Sequence, residues 1–303
     1  MDKEITKEKT YKEEDLRRIW LELQSMSLSD NELFLALMRD PKLFSHVLSV
    51  VIGEKMSVMG EIKMVFTNHE IRFSSLNYHT VYLDAYASDS KGNIYHIEME
   101  NVPSKMPVKR VRYYCAASDI ASLKPGDGYD KIPLSIHLIF TKGDLLGNKK
   151  AVTMVTRKTD EGKEYGDESY IYHINMLALA EGALGMLIRS MLEPNPEKIE
   201  DTVIKGVLKS AKGDDSTVRS IHDIKDVLSK QEREAFFNAG KAEGKAEGKA
   251  EGKAEGKAEG KAEERKRLIL NALEKGISRN DISSFFNISI DEIDDVVNKS
   301  ING

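Results

Sequence analysis

The spacing of apolar residues changes period several times along the chain. Leu16, Ile19, Trp20 and Leu23 recur at helical spacing. From Asn31 to Lys55, the apolar positions Leu33, Leu37, Phe44, Val47, Leu48 and Val51 predict helical segments on either side of Asp40-Pro41, the proline starting a new turn. These segments are expected to cover one face of a sheet. The period then drops to two. VYLDAYA at 81–87 and IYHIEME at 94–100 are short, rich in β-branched and aromatic residues, and joined by SDSKGN, which together read as a hairpin. Beyond Pro107 a stretch to Leu123 has helical character, followed by the loop KPGDGYDK and the apolar run LSIHLIF at 134–140. A further strand, AVTMVT at 151–156, and an apolar helix, INMLALAEGALGMLI at 174–188, complete the pattern. Helix, hairpin, helix and strand in this order predict an α/β fold with a mixed sheet flanked by helices.

Past residue 215 the pattern loses its core-forming character. A near-perfect KAEG tetrapeptide repeat starts at Gly240, with Lys and Glu in balance and no residue large enough to make an apolar stripe. Each Gly costs about 1 kcal/mol against Ala in a helix, so the repeat reads as a marginal helix or spacer. The tail from 265 to 303 regains helical spacing, with Ser278 and Asp281 at one predicted N-terminus and the capping box Ser289–Glu292 at another. A helix-turn-helix reader would need a basic reading helix, whereas this one carries Asp291, Glu292, Asp294 and Asp295. Self-association or partner binding is the preferred reading. The expected division is a charged lead-in at 1–29, a catalytic-sized domain at 30–215, a helical connector at 216–239, the repeat at 240–264 and the tail at 265–303.

Composition narrows the function classes. The 303 residues are 40% hydrophobic, enough for one sizeable core with appendages, and the formal charge of −5 argues against coating nucleic acid by bulk electrostatics. No apolar run approaches the roughly 20 residues that span a bilayer, so no membrane association and a cytoplasmic location are expected. The lone Cys115 reads as a small buried hydrophobe.

The hairpin carries the candidate chemistry. Asp84 interrupts an apolar strand, and on the next strand His96, Glu98 and Glu100 share one face because side chains alternate. Folding about residues 90 and 91 brings Asp84 opposite Ile97 or Glu98. Carboxylates that converge repel one another, and a hard divalent cation with oxygen ligands relieves that repulsion. The competing reading makes Glu98 and Glu100 a solvated strand face and Asp84 a strand-end cap or ion-pair partner.

The string VYLDAYASDSKGNIYHIEME, followed by KRVRYYCAASDIASLKPGDGY and IHLIF, resembles the recombination-promoting nuclease and transposase (Rpn) branch of the PD-(D/E)XK nucleases. The likeness runs from about residue 31 to about 175. It implies a PD-(D/E)XK, restriction-endonuclease-like sheet and a magnesium- or manganese-dependent DNA endonuclease of low sequence specificity, acting in recombination or on mobile DNA. By motif position, Asp84, Glu98 and Glu100 would be catalytic, with Asp84 and Glu98 on the metal. Glu100 stands where the family usually has Gln and the wider superfamily Lys. Glu54 is a further candidate ligand, and His96, Arg110 and Tyr114 are candidates for an additional ligand or a supporting shell. Lys105, Lys109 and Arg112 form a candidate DNA-binding stripe on the following helix. A homodimer is expected if both strands are to be cut. The alternative is a catalytically impaired nuclease-fold module that binds DNA or protein.

Other chemistries fail on inventory. The sequence has no phosphate-cradling G-x-x-x-x-G-K-[ST] loop, no Cys/His cluster for zinc and no nucleophile elbow.

Overall fold

A computed structural model describes residues 11–53, 59–71 and 81–301. The chain divides into two units, Met1–Leu228 and Ser229–Gly303. The first is a mixed α/β unit with a six-stranded mixed sheet flanked by helices. Its strands are β1 (Ile62–Ile71), β2 (Val81–Asp89), β3 (Ile94–Glu100), β4 (Ser135–Thr141), β5 (Val152–Val155) and β6 (Ser169–Asn175), in the order β1-β2-β3-β4-β6-β5. Strands β1 to β3 form an antiparallel meander, β4 runs parallel to both β3 and β6, and β5 closes the edge antiparallel to β6.

One face of the sheet is a continuous apolar layer. Ala85, Ala87, Tyr95, Ile97, Ile136, Leu138, Phe140, Tyr172 and Ile174 bury there against helices α1 (Glu13–Ser25), α2 (Asn31–Leu37), α3 (Pro41–Ile52), α5 (Gly182–Leu192) and α6 (Thr202–Lys212). The expected breaks at Asp40-Pro41 are present. Asp40 caps α3 by accepting the Lys42 N–H at 2.8 Å, and Pro41 occupies the first turn, where its missing N–H costs nothing. The charged lead-in belongs to this core through α1, which buries Ile19 and Leu23. The buried Asp201 caps α6 through the Val203 and Ile204 N–H groups and accepts a 2.7 Å hydrogen bond from His46 Nε2. Together these bonds satisfy a carboxylate that burial would otherwise penalise.

The opposite face meets α4 (Val108–Ser122), which lays Val111, Tyr114, Cys115 and Ala117 over Leu83 and Ile139. The stretch expected as one helix over 174–188 is corrected: 169–175 is β6, and helix α5 begins only at Gly182. A short apolar run does not by itself distinguish buried strand from buried helix.

The β1–β2 ribbon changes face along its length. Val65, Ala85 and Ala87 join the main core, whereas Ile71, Val81 and Leu83 join the cluster under α4, although a regular strand puts all these odd positions on one side. Asn68, at φ 50°, lies between Thr67, which faces Ala85, and His69, which faces Leu83, so the register places it opposite Asp84. The face change therefore falls at Asp84.

Helix α7 (Asp215–Glu274) contains the KAEG repeat, and the boundary between units lies within it. In the second unit Ile269 packs with Ile282 of α8 (Arg279–Phe286), with Ile288, and with Ile293 of α9 (Ile290–Ile301). Both expected caps form: Ser278 Oγ accepts the Asp281 N–H at 3.2 Å. Ser289 Oγ and Glu292 Oε2 each accept the other's backbone N–H at 3.1 Å.

Candidate active site

The β2–β3 register pairs Tyr86 with His96 and Ala85 with Ile97, so its next step sets Asp84 opposite Glu98. Side-chain contacts agree. Glu98 Oε2 accepts the Asp84 backbone N–H at 3.4 Å, and Asp84 Oδ2 accepts the Met99 N–H at 2.9 Å. Each carboxylate reaches across the hairpin to the other strand's backbone. On β3, His96 is fully buried and Glu98 nearly so, at 3% exposure, which excludes a solvated strand face for Glu98. Glu100, at the strand's end, is partly exposed, and its Oε1 accepts the Val102 N–H at 2.8 Å.

Burial sets the protonation of this group. It pushes Glu98 up to about 8, with Glu100 adding to the rise while Arg110 and the Asp84 N–H oppose it. Burial followed by the charge of Glu98 raises Asp84 well above the usual carboxylate range. His96 is pushed down to about 3 by burial and is neutral at physiological pH. One proton therefore occupies the 2.7 Å hydrogen bond between His96 Nε2 and Glu98 Oε2. This bond makes His96 a supporting residue for Glu98.

Sequence reasoning missed His137. It interrupts the continuous apolar run of β4, which was the available signal. It stands in register with His96, fully buried, with ring centroids 5.7 Å apart. Among the described residues, neither ring nitrogen of His137 has a hydrogen-bond partner, nor does His96 Nδ1. Burial, followed by His96, also pushes His137 down to about 3.

Helix α4 supplies the cation. It starts only a few residues after β3 ends, so Arg110 in its first turn faces back toward the carboxylates. Arg110 Nη2 lies 4.0 Å from Glu98 Oε1, and Nη1 lies 3.9 Å from Glu100 Oε2. Its Nε donates to the Tyr114 hydroxyl at 2.8 Å and Nη1 donates to the Lys105 carbonyl at 2.8 Å. Tyr114 also lies under the guanidinium, 5.1 Å from ring centroid to Cζ. Burial, then Glu98, drives the Tyr114 hydroxyl up to about 12, so it stays protonated.

The candidate DNA-binding stripe is only partly a helix face. Lys109 and Arg112 are exposed on α4, three residues apart, but Lys105 lies in the preceding 3-10 turn, Pro103–Lys105. Pro107 explains the break, because it stands at the N-cap with extended backbone. Glu54 lies outside the described residues.

The site opens at the carboxyl ends of the parallel strands. Glu100 of β3 registers with Thr141 of β4 and, through it, with Asn175 of β6. Loop-lined carboxyl ends are where open α/β sheets place their ligands. Thr141 and Asn175 also line a cavity of about 10 Å³ with Asp144 and His173, room for about one water.

Among the described residues no three His, Cys, Asp or Glu side chains are arranged to hold a metal ion between them. The donor chemistry still fits a magnesium-like ion. Such an ion keeps most of its waters and takes only one or two protein carboxylates. Asp84, half-buried, and Glu98, buried, are adjacent carboxyls whose ionised forms lack a full counter-charge.

Comparison with family models, with curated proteins and with solved structures finds no match to this chain. The functional reading therefore stands on the geometry and on the residues that carry the resemblance.

Proposed function

We propose that the chain is a metal-dependent nuclease that adds water across DNA phosphodiester bonds with little sequence preference, releasing an alcohol and a phosphomonoester. The observation that carries this reading is the convergence of Asp84 and Glu98 across the hairpin. Burial raises the pKa of both above the usual carboxylate range, and Glu98 lies toward the carboxyl end of β3. A crowded carboxyl pair of raised pKa has little structural use but is suited to receiving a cation. Asp84 and Glu98 would hold the ion. It would supply a water of lowered pKa and polarise the phosphoryl oxygen.

The chain's own groups do the rest. His96 fixes Glu98 Oε2 through their 2.7 Å bond, leaving Oε1 as the presented oxygen. Glu100, less buried and next to Arg110, is the available proton acceptor for the attacking water. Exposed Lys109 and Arg112 contact flanking phosphates, giving sequence-independent affinity. The Rpn likeness adds that the cuts feed recombination or act on mobile DNA, and a homodimer would let two sites cut both strands.

A second reading is favoured by one observation. Glu100 puts a third acid at the mouth of the site, and a chain in which it blocks turnover would be a module that binds DNA or protein without cutting it.

Supercoiled plasmid distinguishes the two. Magnesium-dependent nicking by the full chain that is absent in calcium and lost in Asp84→Ala and Glu98→Ala supports the nuclease. Folded wild-type protein that leaves plasmid intact in magnesium and manganese, or cleavage that survives both substitutions, rules it out.

A further inference from the structure

The three carboxylates of the site face one arginine, and the way that arginine is held indicates its role. Arg110 is the only Lys or Arg among the described residues within 4.0 Å of Glu98 or Glu100. Its two contacts to them, at 4.0 and 3.9 Å, are about 1 Å longer than the roughly 2.7–2.9 Å of a charge-assisted hydrogen bond. Its short bonds, both 2.8 Å, go instead to neutral acceptors, the Tyr114 hydroxyl and the Lys105 carbonyl. The guanidinium is thus anchored from behind by uncharged groups while its charged edge faces the acids without bonding them. A purely structural counter-ion in a buried site is expected to close onto its carboxylate in a bidentate fork. This one stands off, and its side chain remains 38% exposed, within reach of an incoming anion.

A phosphodiester approaching Asp84, Glu98 and Glu100 meets three acidic groups, so some fixed cation must offset them. Guanidinium geometry matches phosphate oxygens, and a donor already held in place needs no reorganisation when charge develops on them. We infer that Arg110 is the phosphate ligand of the site. It takes a non-bridging oxygen of the substrate phosphodiester, and in the metal-free protein it stands in for the cation that Asp84 and Glu98 receive. The inference rests on the nuclease reading above.

The two roles give opposite signs in one measurement. If Arg110 stands where it repels an incoming cation, removing its charge strengthens metal binding and weakens catalysis. If it is a strut for the acids, removing it weakens both. Manganese binding to the full chain, followed by electron paramagnetic resonance, is compared with initial rates of plasmid nicking for wild type, Arg110→Gln, Arg110→Lys and Tyr114→Phe.

In Arg110→Gln, manganese affinity should rise about tenfold, because the positive charge facing the carboxylates that would receive the ion is gone. Its kcat should fall about 100-fold or more, the usual loss for one preorganised donor, while KM for plasmid changes little. Arg110→Lys should recover part of kcat. Tyr114→Phe keeps the charge but removes one of its two anchors, the bond to Nε. The released guanidinium can then close on Glu98, so manganese affinity should fall several-fold along with kcat.

Weaker manganese binding and a lowered melting temperature in Arg110→Gln would make the residue a strut. Tighter binding with wild-type kcat would make it a bystander. Either result overturns the inference while leaving the nuclease standing. Wild type that neither binds manganese nor nicks plasmid removes both.

Discussion

The two ends of the β2–β3 hairpin each hold an aspartate and treat it in opposite ways. At the turn, Asp89 accepts hydrogen bonds from the Gly60, Lys91 and Asn93 N–H groups, the Asn93 amide and the Tyr95 hydroxyl, all between 2.5 and 3.0 Å. Burial pushes its pKa up, but the bonds from Gly60, Tyr95, Asn93 and Lys91 outweigh burial and hold it below the usual value. Five residues earlier, Asp84 accepts one short backbone bond, from Met99, and is driven well above the usual range. Asp89 is a finished piece of structure: its charge is used up in closing the turn and tying it to Gly60. Asp84 is left incomplete, at the point where the ribbon changes face. Within one strand, the hydrogen-bond inventory of an acid separates an architectural residue from the one to which the proposed function gives a metal.

The sharpest way to break this comparison is to neutralise each acid without changing its shape. Asp84→Asn keeps an acceptor for the Met99 N–H and removes a charge the fold disfavours, so melting temperature should hold or rise. Nicking should fall by about three orders of magnitude, the scale of losing a group essential to transition-state stabilisation. Asp89→Asn should do the reverse. Its new NH2 group faces donors, several N–H groups lose their acceptor, and stability should fall by about 3 kcal/mol, since each unsatisfied buried group costs about 1–3 kcal/mol. The folded fraction should retain its kcat. Thermal melts and active-site-normalised rates check both arms, and a stability loss of equal size at Asp84 would erase the distinction.

The same contrast predicts opposite pH signatures in metal-free protein. Glu98 has its folded pKa raised from 4.5 to about 8. Its protonated form therefore favours the fold, and that contribution is complete below pH 4.5 and lost as pH rises to about 8. Asp84 shifts in the same direction. Asp89, whose folded pKa is lowered from 3.8, contributes stability above that value and loses it as pH falls below. Denaturant melts should show stability declining between pH 5 and 8 by a few kcal/mol, because each tenfold change in proton affinity on folding is worth about 1.4 kcal/mol. Glu98→Gln should flatten most of that slope, and an unchanged slope in the variant would place the titrating group elsewhere.

The residues explain which parts of this were readable in advance. The hairpin strands VYLDAYA and IYHIEME and the helices around Pro41 have a readable period, β4 is a short apolar run bounded by loops, and these elements and α4 lie where the pattern puts them. The first strand does not. In β1, Met64 and Phe66 are exposed, the register slips between Ile62 and Val65, and Asn68 turns left-handed, so no alternation survives to be seen. Strand β6 was hidden for another reason: SYIYHIN runs on into the apolar residues before α5, so the two merge into one apparent helix. The facing of Asp84 and Glu98 was legible because it needs only period two and a turn position. Asp89 looked like an ordinary turn residue, since its Gly60 donor lies 29 positions away. The stance of Arg110 was equally hidden, because it depends on how soon α4 begins after β3.

The smallest expected effect lies at the rim. Lys109 and Arg112 are exposed on α4, and the proposed role gives each one phosphate contact rather than a part in the chemistry. Replacing either with Gln should leave melting temperature and metal affinity unchanged, because neither side chain is buried and neither faces the acids. DNA affinity in calcium should fall a few-fold. The salt dependence is the more discriminating readout: each lost contact should lower the slope of log affinity against log salt by about 0.9 on duplex DNA. If the double variant keeps the wild-type slope, the stripe is only a solvated helix face and the DNA must track another edge of the sheet. Asp84 and Glu98 would keep their role in that case, since the hairpin positions them independently of how the duplex is held.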